Sequence, residues 1–125
     1  MKIAISISGK TFDSPFDSRF GRAASFCIVD TETNLWNVFE NPAISASGGA
    51  GVQAAQFVAE KGVQAVISGA YGPNAYDTLA ASDIKMFLAP GNEVFTGQKI
   101  VDLFKEGKLA QTNEATHAGH HGGAR

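Results

Sequence analysis

Val63-Gln64-Ala65-Val66-Ile67-Ser68-Gly69-Ala70-Tyr71-Gly72-Pro73-Asn74-Ala75 is the stretch on which the fold turns. Val63 to Ser68 is a short apolar run bounded by Gly62 and Gly69, the pattern of a buried strand. Gly69 to Gly72 makes the turn, and Pro73 suits the first turn of a helix, where a missing N–H leaves no bond unmade. The run therefore predicts strand, turn and a helix from Pro73 to Ala81. Toward the carboxyl end the unit repeats. Ile84 to Ala89 is a further strand, Pro90-Gly91-Asn92 a turn, and Thr96 to Lys105 a helix with Ile100, Val101, Leu103 and Phe104 available for packing.

Toward the amino end, Val52 to Lys61 has the spacing of an amphipathic helix closed by Gly62, and the small-residue segment Ala43 to Gly51 leads into it. Residues 25–30 (Ser-Phe-Cys-Ile-Val-Asp) and 35–40 (Leu-Trp-Asn-Val-Phe-Glu) are rich in β-formers and flank Thr31-Glu32-Thr33-Asn34, which makes them a hairpin. Residues 2–8 alternate, with Ile3, Ile5 and Ile7 on one face. Between these strands runs a polar loop from Thr11 to Arg22, long for so small a domain, and long loops of this kind tend to carry function. The order is βββαβαβα. Hairpins pair antiparallel, whereas strand–helix–strand units cross over right-handed and give parallel neighbours, so a five-stranded mixed sheet flanked by helices is expected.

At 125 residues and 44% hydrophobic composition, the chain can bury about two-thirds of the surface its unfolded form exposes, enough for one core. One domain over residues 1–109 is expected. Beyond Leu109 alanine is the only apolar residue, which predicts a flexible Gly- and His-containing tail over residues 110–125. A net charge of -2 with scattered basic residues argues against nucleic acid as a partner. No run approaches the ~20 apolar residues of a spanning helix, the amino terminus lacks a signal-peptide pattern, and the lone Cys27 cannot form an internal disulfide. The expectation is a cytoplasmic protein, monomeric or weakly dimeric, with no membrane partner.

Phe20-Gly21-Arg22-Ala23-Ala24-Ser25-Phe26-Cys27-Ile28-Val29-Asp30, then Gly62-Val63, then Gly69-Ala70-Tyr71-Gly72-Pro73-Asn74-Ala75, together resemble the dinitrogenase iron–molybdenum cofactor biosynthesis family. The matches span residues 2–109. The resemblance implies a ribonuclease-H-like sheet, antiparallel at one edge and parallel at the other. It also implies metal-cluster handling. The family includes accessory proteins that carry the nitrogenase cofactor or its precursors, part of the cofactor-building radical enzyme, and small stand-alone domains, and it is similar to the orange protein, which holds a molybdenum–copper sulfide cluster. Two departures matter. Cofactor-carrying relatives have histidine just before Phe-Gly and another ahead of the glycine-rich helix start, where this chain has Arg19 and Ser45-Ala46-Ser47. The resemblance then implies an iron–sulfur or molybdenum(-copper) sulfide cluster, transiently bound by cationic side chains and helix amino termini instead of imidazole.

The candidate site residues are Arg19, Arg22, Gly48, Gly49, Gly51, Gly69, Tyr71, Gly72 and Asn74. Gly48 to Gly51 reads either as a turn or as an anion cradle, since missing side chains permit close approach to backbone N–H groups. It lacks the lysine and spacing of a phosphate-binding loop. Arg19 and Arg22 either neutralise a ligand or pair with Asp13 and Asp17 on the surface. Gly72 and Asn74 lie where ligands bind in open α/β sheets, outside the carboxyl ends of parallel strands, though Pro73 and Asn74 also serve simply to start a helix; Tyr71 is a candidate pocket wall. Cys27 belongs to the core, where burial raises a thiol's pKa. His117, His120 and His121 form a His-x-x-His-His arrangement suited to a divalent metal ion.

No catalytic set emerges. Asp30, Asp77, Asp83 and Asp102 are dispersed and the first strand carries no acid, so two-metal nuclease chemistry has no ligands and no enzyme is expected. Three functions are expected, in this order: a carrier or chaperone for a metal cluster or its precursor, working with cluster-assembly or acceptor proteins; a cofactor-free interaction module in cluster assembly or redox regulation; and a binder of a small anionic metabolite.

Overall fold

Ile3, Ile5 and Ile7 alternate with Ala4 and Ser6 along β1 (Lys2–Ile7), and because both sets are buried the strand lies at the centre of a sheet covered on both faces. The computed structural model describes residues 1–90 and 95–115. β2 (Ser25–Asp30) pairs antiparallel with β1, Ile5 opposite Cys27, and β3 (Trp36–Glu40) pairs antiparallel with β2, Cys27 opposite Val38. The chain then forms α1 (Ala50–Glu60), β4 (Ala65–Ser68), α2 (Pro73–Ala81), β5 (Lys85–Leu88), α3 (Gly97–Lys105) and β6 (Ala110–Thr112). β4 runs parallel to β1 and β5 parallel to β4. The spatial order is β3-β2-β1-β4-β5-β6.

Two cores result from the pleat. Ala4, Phe26, Ile28, Val66 and Met86 point to the face covered by α1 and α2, where they meet Ala54, Ala55, Val58, Ala75 and Leu79. Ile3, Ile5, Ile7, Cys27, Val29, Ala65 and Ile67 point to the opposite face and pack on Ile100 and Val101 of α3. The helix ends obey local chemistry. Gly62, at φ 76, comes after the C-cap Lys61 of α1 in the left-handed conformation that only glycine adopts without penalty. Thr96 caps α3, its side chain accepting from the Lys99 amide at 3.3 Å.

The sheet has six strands where the pattern of the sequence predicts five. β6 pairs antiparallel with β5, Phe87 opposite Gln111, so the sheet continues past Leu109. Ala-Gln-Thr carries no apolar alternation; it is recruited by the unpaired edge of β5, with Leu109 and Thr112 buried at its two ends. The Tyr76 hydroxyl holds the exit from the strand, donating to the Asn113 carbonyl at 2.7 Å. Gly91 and Asn92 of the expected turn, and His117, His120 and His121, lie outside the described residues.

Candidate functional site

The long loop between β1 and β2 folds back over the carboxyl ends of β1 and β4. Pro15 and Ser6 carbonyls accept from the Ser8 and Asp17 amides, both at 2.9 Å, and Arg19 forms a parallel bridge with Ala70. This backbone path closes the crevice that open α/β sheets usually present there. Gly69 lies beneath it: its amide donates to the Ser18 carbonyl at 3.1 Å, and a Cβ on Gly69 would stand 2.6 Å from that of Ser18. Gly69 is there to let two backbones meet. Tyr71 is fully buried, stacked obliquely on Phe20 at 5.5 Å, with its hydroxyl within hydrogen-bonding distance of the Val66 and Phe87 carbonyls. It is a core residue and is not on the wall of the pocket between the starts of α1 and α2.

Arg19 is likewise committed. Its Nε and Nη2 donate to the two oxygens of Asp17, each at 3.1 Å, and the Asp17 carboxylate also accepts from the Arg19 amide. That side-chain bond raises the guanidinium pKa further. Arg22 differs. Phe20, buried between Phe26 and Tyr71, anchors the end of the loop, and Asn41 fastens the residues after it, donating from Nδ2 to the Gly21 and Ala23 carbonyls at 3.1 and 2.9 Å. Gly21 is thereby pressed against α1, where a Cβ would sit 3.1 Å from Gly51 Cα. Arg22 then lies exposed, its Nη1 donating to the Ala46 carbonyl at 2.7 Å.

The result is a pocket of about 310 Å³ walled by Gly21, Arg22, Gly49, Ala50, Gly51, Gly72, Pro73, Asn74 and Ala75. It lies between the amino termini of α1 and α2. Neither helix has a side-chain cap or an acid in its first turn. Gly49 enters α1 at φ 71, and Gly72 enters α2 in extended backbone with open space around its Cα. The first-turn amides of both helices have no carbonyl one turn back to bond, so they and the Arg22 guanidinium present donors and positive potential. Gly51 keeps the helices close, for a Cβ there would stand 3.1 Å from that of Ala75.

The pocket thus gathers five of the nine residues singled out in the sequence: Arg22, Gly49, Gly51, Gly72 and Asn74. Gly48 stands beside it, exposed and off its wall. Asn41 escapes sequence reading because a lone asparagine before proline signals only a turn; its burial and three bonds, including one accepted from the Ala43 amide, appear only in the fold. Among the described residues no three His, Cys, Asp or Glu side chains converge as metal ligands. No helix of the described residues is long and apolar enough to cross a membrane.

The fold is a three-layer α/β domain with a pocket framed by two uncapped helix starts and one arginine, an arrangement that offers hydrogen-bond donors and positive potential. Comparison with known proteins narrows this. A family model described as dinitrogenase iron-molybdenum cofactor matches residues 1–107, and the chain belongs to that family. An uncharacterized protein of Methanocaldococcus jannaschii is 34% identical over 112 residues, 87% of this chain and 89% of that one. The apo form of the orange protein from Desulfovibrio gigas superposes with a TM-score of 0.87 at 32% identity, over 93% of this chain and 96% of that structure. A NifB-like protein of Thermotoga, assigned to the DUF35 family, superposes at 0.79 with 35% identity, over 93% and 97%.

Proposed function

We propose that this protein is a non-catalytic carrier that holds a preassembled anionic metal–sulfur cluster, iron–sulfur or molybdenum-containing, or its precursor, and passes it to assembly or acceptor proteins. One observation carries the reading: two uncapped helix amino termini and Arg22 converge on a pocket whose walls include no acidic side chain. Membership in the dinitrogenase iron-molybdenum cofactor family supports the choice of cargo among anions.

The donors in the pocket fit such a cargo in one particular way. Amides and a guanidinium bond to the outer sulfides or oxygens of a cluster and offset its charge, but they do not ligate iron or molybdenum directly. The cluster must therefore arrive with its own sulfides or other small ligands completing the coordination of every metal, terminal positions included, and release needs no metal–protein bond to break. Glycines at positions 49 and 72 have open space where a side chain would stand, so a polyatomic anion reaches the amides there without steric obstruction. A divalent ion at His117, His120 and His121 is a separate element of the proposal and does not depend on the pocket.

The test is anaerobic reconstitution with iron and sulfide, and separately with tetrathiomolybdate and copper, then gel filtration, visible absorption and metal analysis. The full chain is compared with one cut after Ala115, which keeps every described strand. Chromophore retained by both proteins, and reduced about tenfold by Arg22→Gln through loss of one charge-assisted bond, supports the pocket. Retention by the full chain alone moves the site to the histidines. Retention by neither overturns the carrier.

A further inference from the structure

At the far end of α1 from the glycine pocket lies a second cavity, of about 360 Å³, on the outer part of the sheet where the helix layer stops. Its floor is Ile28, Leu35, Asn37 and Phe39, and its rim carries Lys2 and Lys61. Leu35 is 71% exposed. Asn37 and Phe39 lie on β3, an outermost strand, and among the described residues nothing pairs with its outer edge. The basin is therefore bounded by β2 and α1 but open on the side where a further strand would add.

Two features make this edge unusual. A free strand edge is normally protected by lysine, proline or a bulge, and Trp36-Asn37-Val38-Phe39-Glu40 has neither proline nor lysine and pairs with β2 in unbroken register. Beside it, the Lys61 ammonium is held 4.1 Å from the Phe39 ring centroid and 5.2 Å from that of Phe57. Among the described residues no carboxylate lies within ion-pairing distance of Lys61. Asp30 also borders the cavity, but its carboxylate accepts the Glu32 and Thr33 amides at 2.8 and 3.4 Å and faces Lys2 across the β1–β2 pair. Lys2 in turn donates to the Lys61 carbonyl at 2.8 Å. Lys61 is thus a cation resting on aromatic faces at the mouth of an apolar basin, with its charge turned to whatever enters.

We infer that β3 is a docking edge for an extended segment of a partner protein with acidic side chains at alternate positions. The added strand bonds through its backbone, and alternate side chains enter the basin beside Phe39 to meet Lys61. Charge selects this occupant over a second copy of the chain. Antiparallel self-pairing of β3 about a two-fold axis at Val38 keeps the faces of the two sheets aligned, so Lys2 and Lys61 of both copies fall on the same side with no added acid to oppose them, while Glu40 lies on the other face opposite Trp36.

Trp36 is the single tryptophan of the chain and stands on β3, 42% exposed, so its emission reports this edge directly. The experiment titrates the full-length protein with a short capped peptide of alternating glutamate and valine, and with its lysine–valine counterpart, neither of which fluoresces. The glutamate peptide is expected to give a saturable blue shift that weakens about tenfold on raising salt to about 0.5 M. Lys61→Glu should reverse the preference between peptides, and Lys2→Gln should weaken it less; thermal melting confirms that each variant is folded. Equal response to the two peptides, no saturable shift, or a preference unmoved in both folded variants overturns the assignment. A blue shift that grows with protein concentration and without peptide, accompanied by dimer in sedimentation, also overturns it in favour of self-association. Because the glycine pocket is not involved, loss of cluster binding leaves this outcome unchanged.

Discussion

Individual side chains here divide by what surrounds them more than by what they are. Cys27 and Tyr71 are reactive types made inert: burial pushes the Cys27 thiol up to about 12 and raises the Tyr71 phenol above its ordinary value of 10.0. An unfolded thiol ionises near 9.0, so above that pH the unfolded chain releases a proton that the folded chain keeps. These two groups add no pH dependence below about pH 9, and through them stability falls as pH rises from about 9 toward 12, by up to about 1.4 kcal/mol per pH unit for each, with Tyr71 adding to the slope above pH 10. Thermal melts at stepped pH should show this decline, and a thiol reagent at pH 8 should label Cys27 no faster than the protein unfolds. Rapid labelling of folded protein would contradict the burial. Arg19 and Arg22 make the same point among cations. They are three residues apart, yet the Asp17 carboxylate engages the first while the second, past the Phe20 anchor, faces the pocket.

Among the elements, the three helices start in two different ways. α3 is capped by a threonine side chain, whereas α1 and α2 begin on bare glycine. Gly49 cannot easily be replaced, since its φ of 71 is strained for other residues, but Gly72 sits in extended backbone with room for a side chain. Gly72→Asp should thus cap α2 and raise stability by about 0.5 kcal/mol while placing a carboxylate over the donors. The expected outcome is a higher melting temperature together with loss of retained chromophore. A variant that is stabilised and still holds the cluster at full stoichiometry would place the cargo elsewhere. Under the proposed function, glycine at this N-cap keeps the α2 amides open to the anion at a small cost in stability.

For the molecule as a whole, β6 carries the described sheet past Leu109. It pairs with β5 at Met86, Phe87 and Leu88, and its removal leaves that edge without a partner strand among the described residues. Cutting the chain after Leu109 should cost about 2 kcal/mol in lost ladder bonds and lower the melting temperature by roughly 10 °C, whereas cutting after Ala115 should leave it unchanged within a degree or two. Differential scanning calorimetry of the two truncations distinguishes them, and equal melting would show that β6 contributes nothing. The same architecture separates two surfaces. Helix α1 has the glycine pocket at its amino end and the Lys61 basin at its carboxyl end, so the proposed cargo and the proposed partner need not compete for one face.

Local chemistry alone determined much of this protein. Alternation in residues 2–8, the apolar run at 63–68, Pro73 and the glycines Gly62 and Gly107 after α1 and α3 dictate βββαβαβα, because backbone periodicity and turn geometry act over a few residues. The Phe20 to Asp30 and Gly69 to Ala75 segments also carried the family resemblance that the whole-chain comparison bears out. Tertiary structure decided what depends on distant neighbours. β6 exists because β5 offers an unpaired edge, which no property of Ala110-Gln111-Thr112 announces. Gly69 and Tyr71 belong to packing because the β1–β2 loop lies over one and Phe20 against the other. The pocket forms where Gly21 meets Gly51 and Gly51 meets Ala75, positions on the loop and on two helices that only the folded chain brings within van der Waals reach.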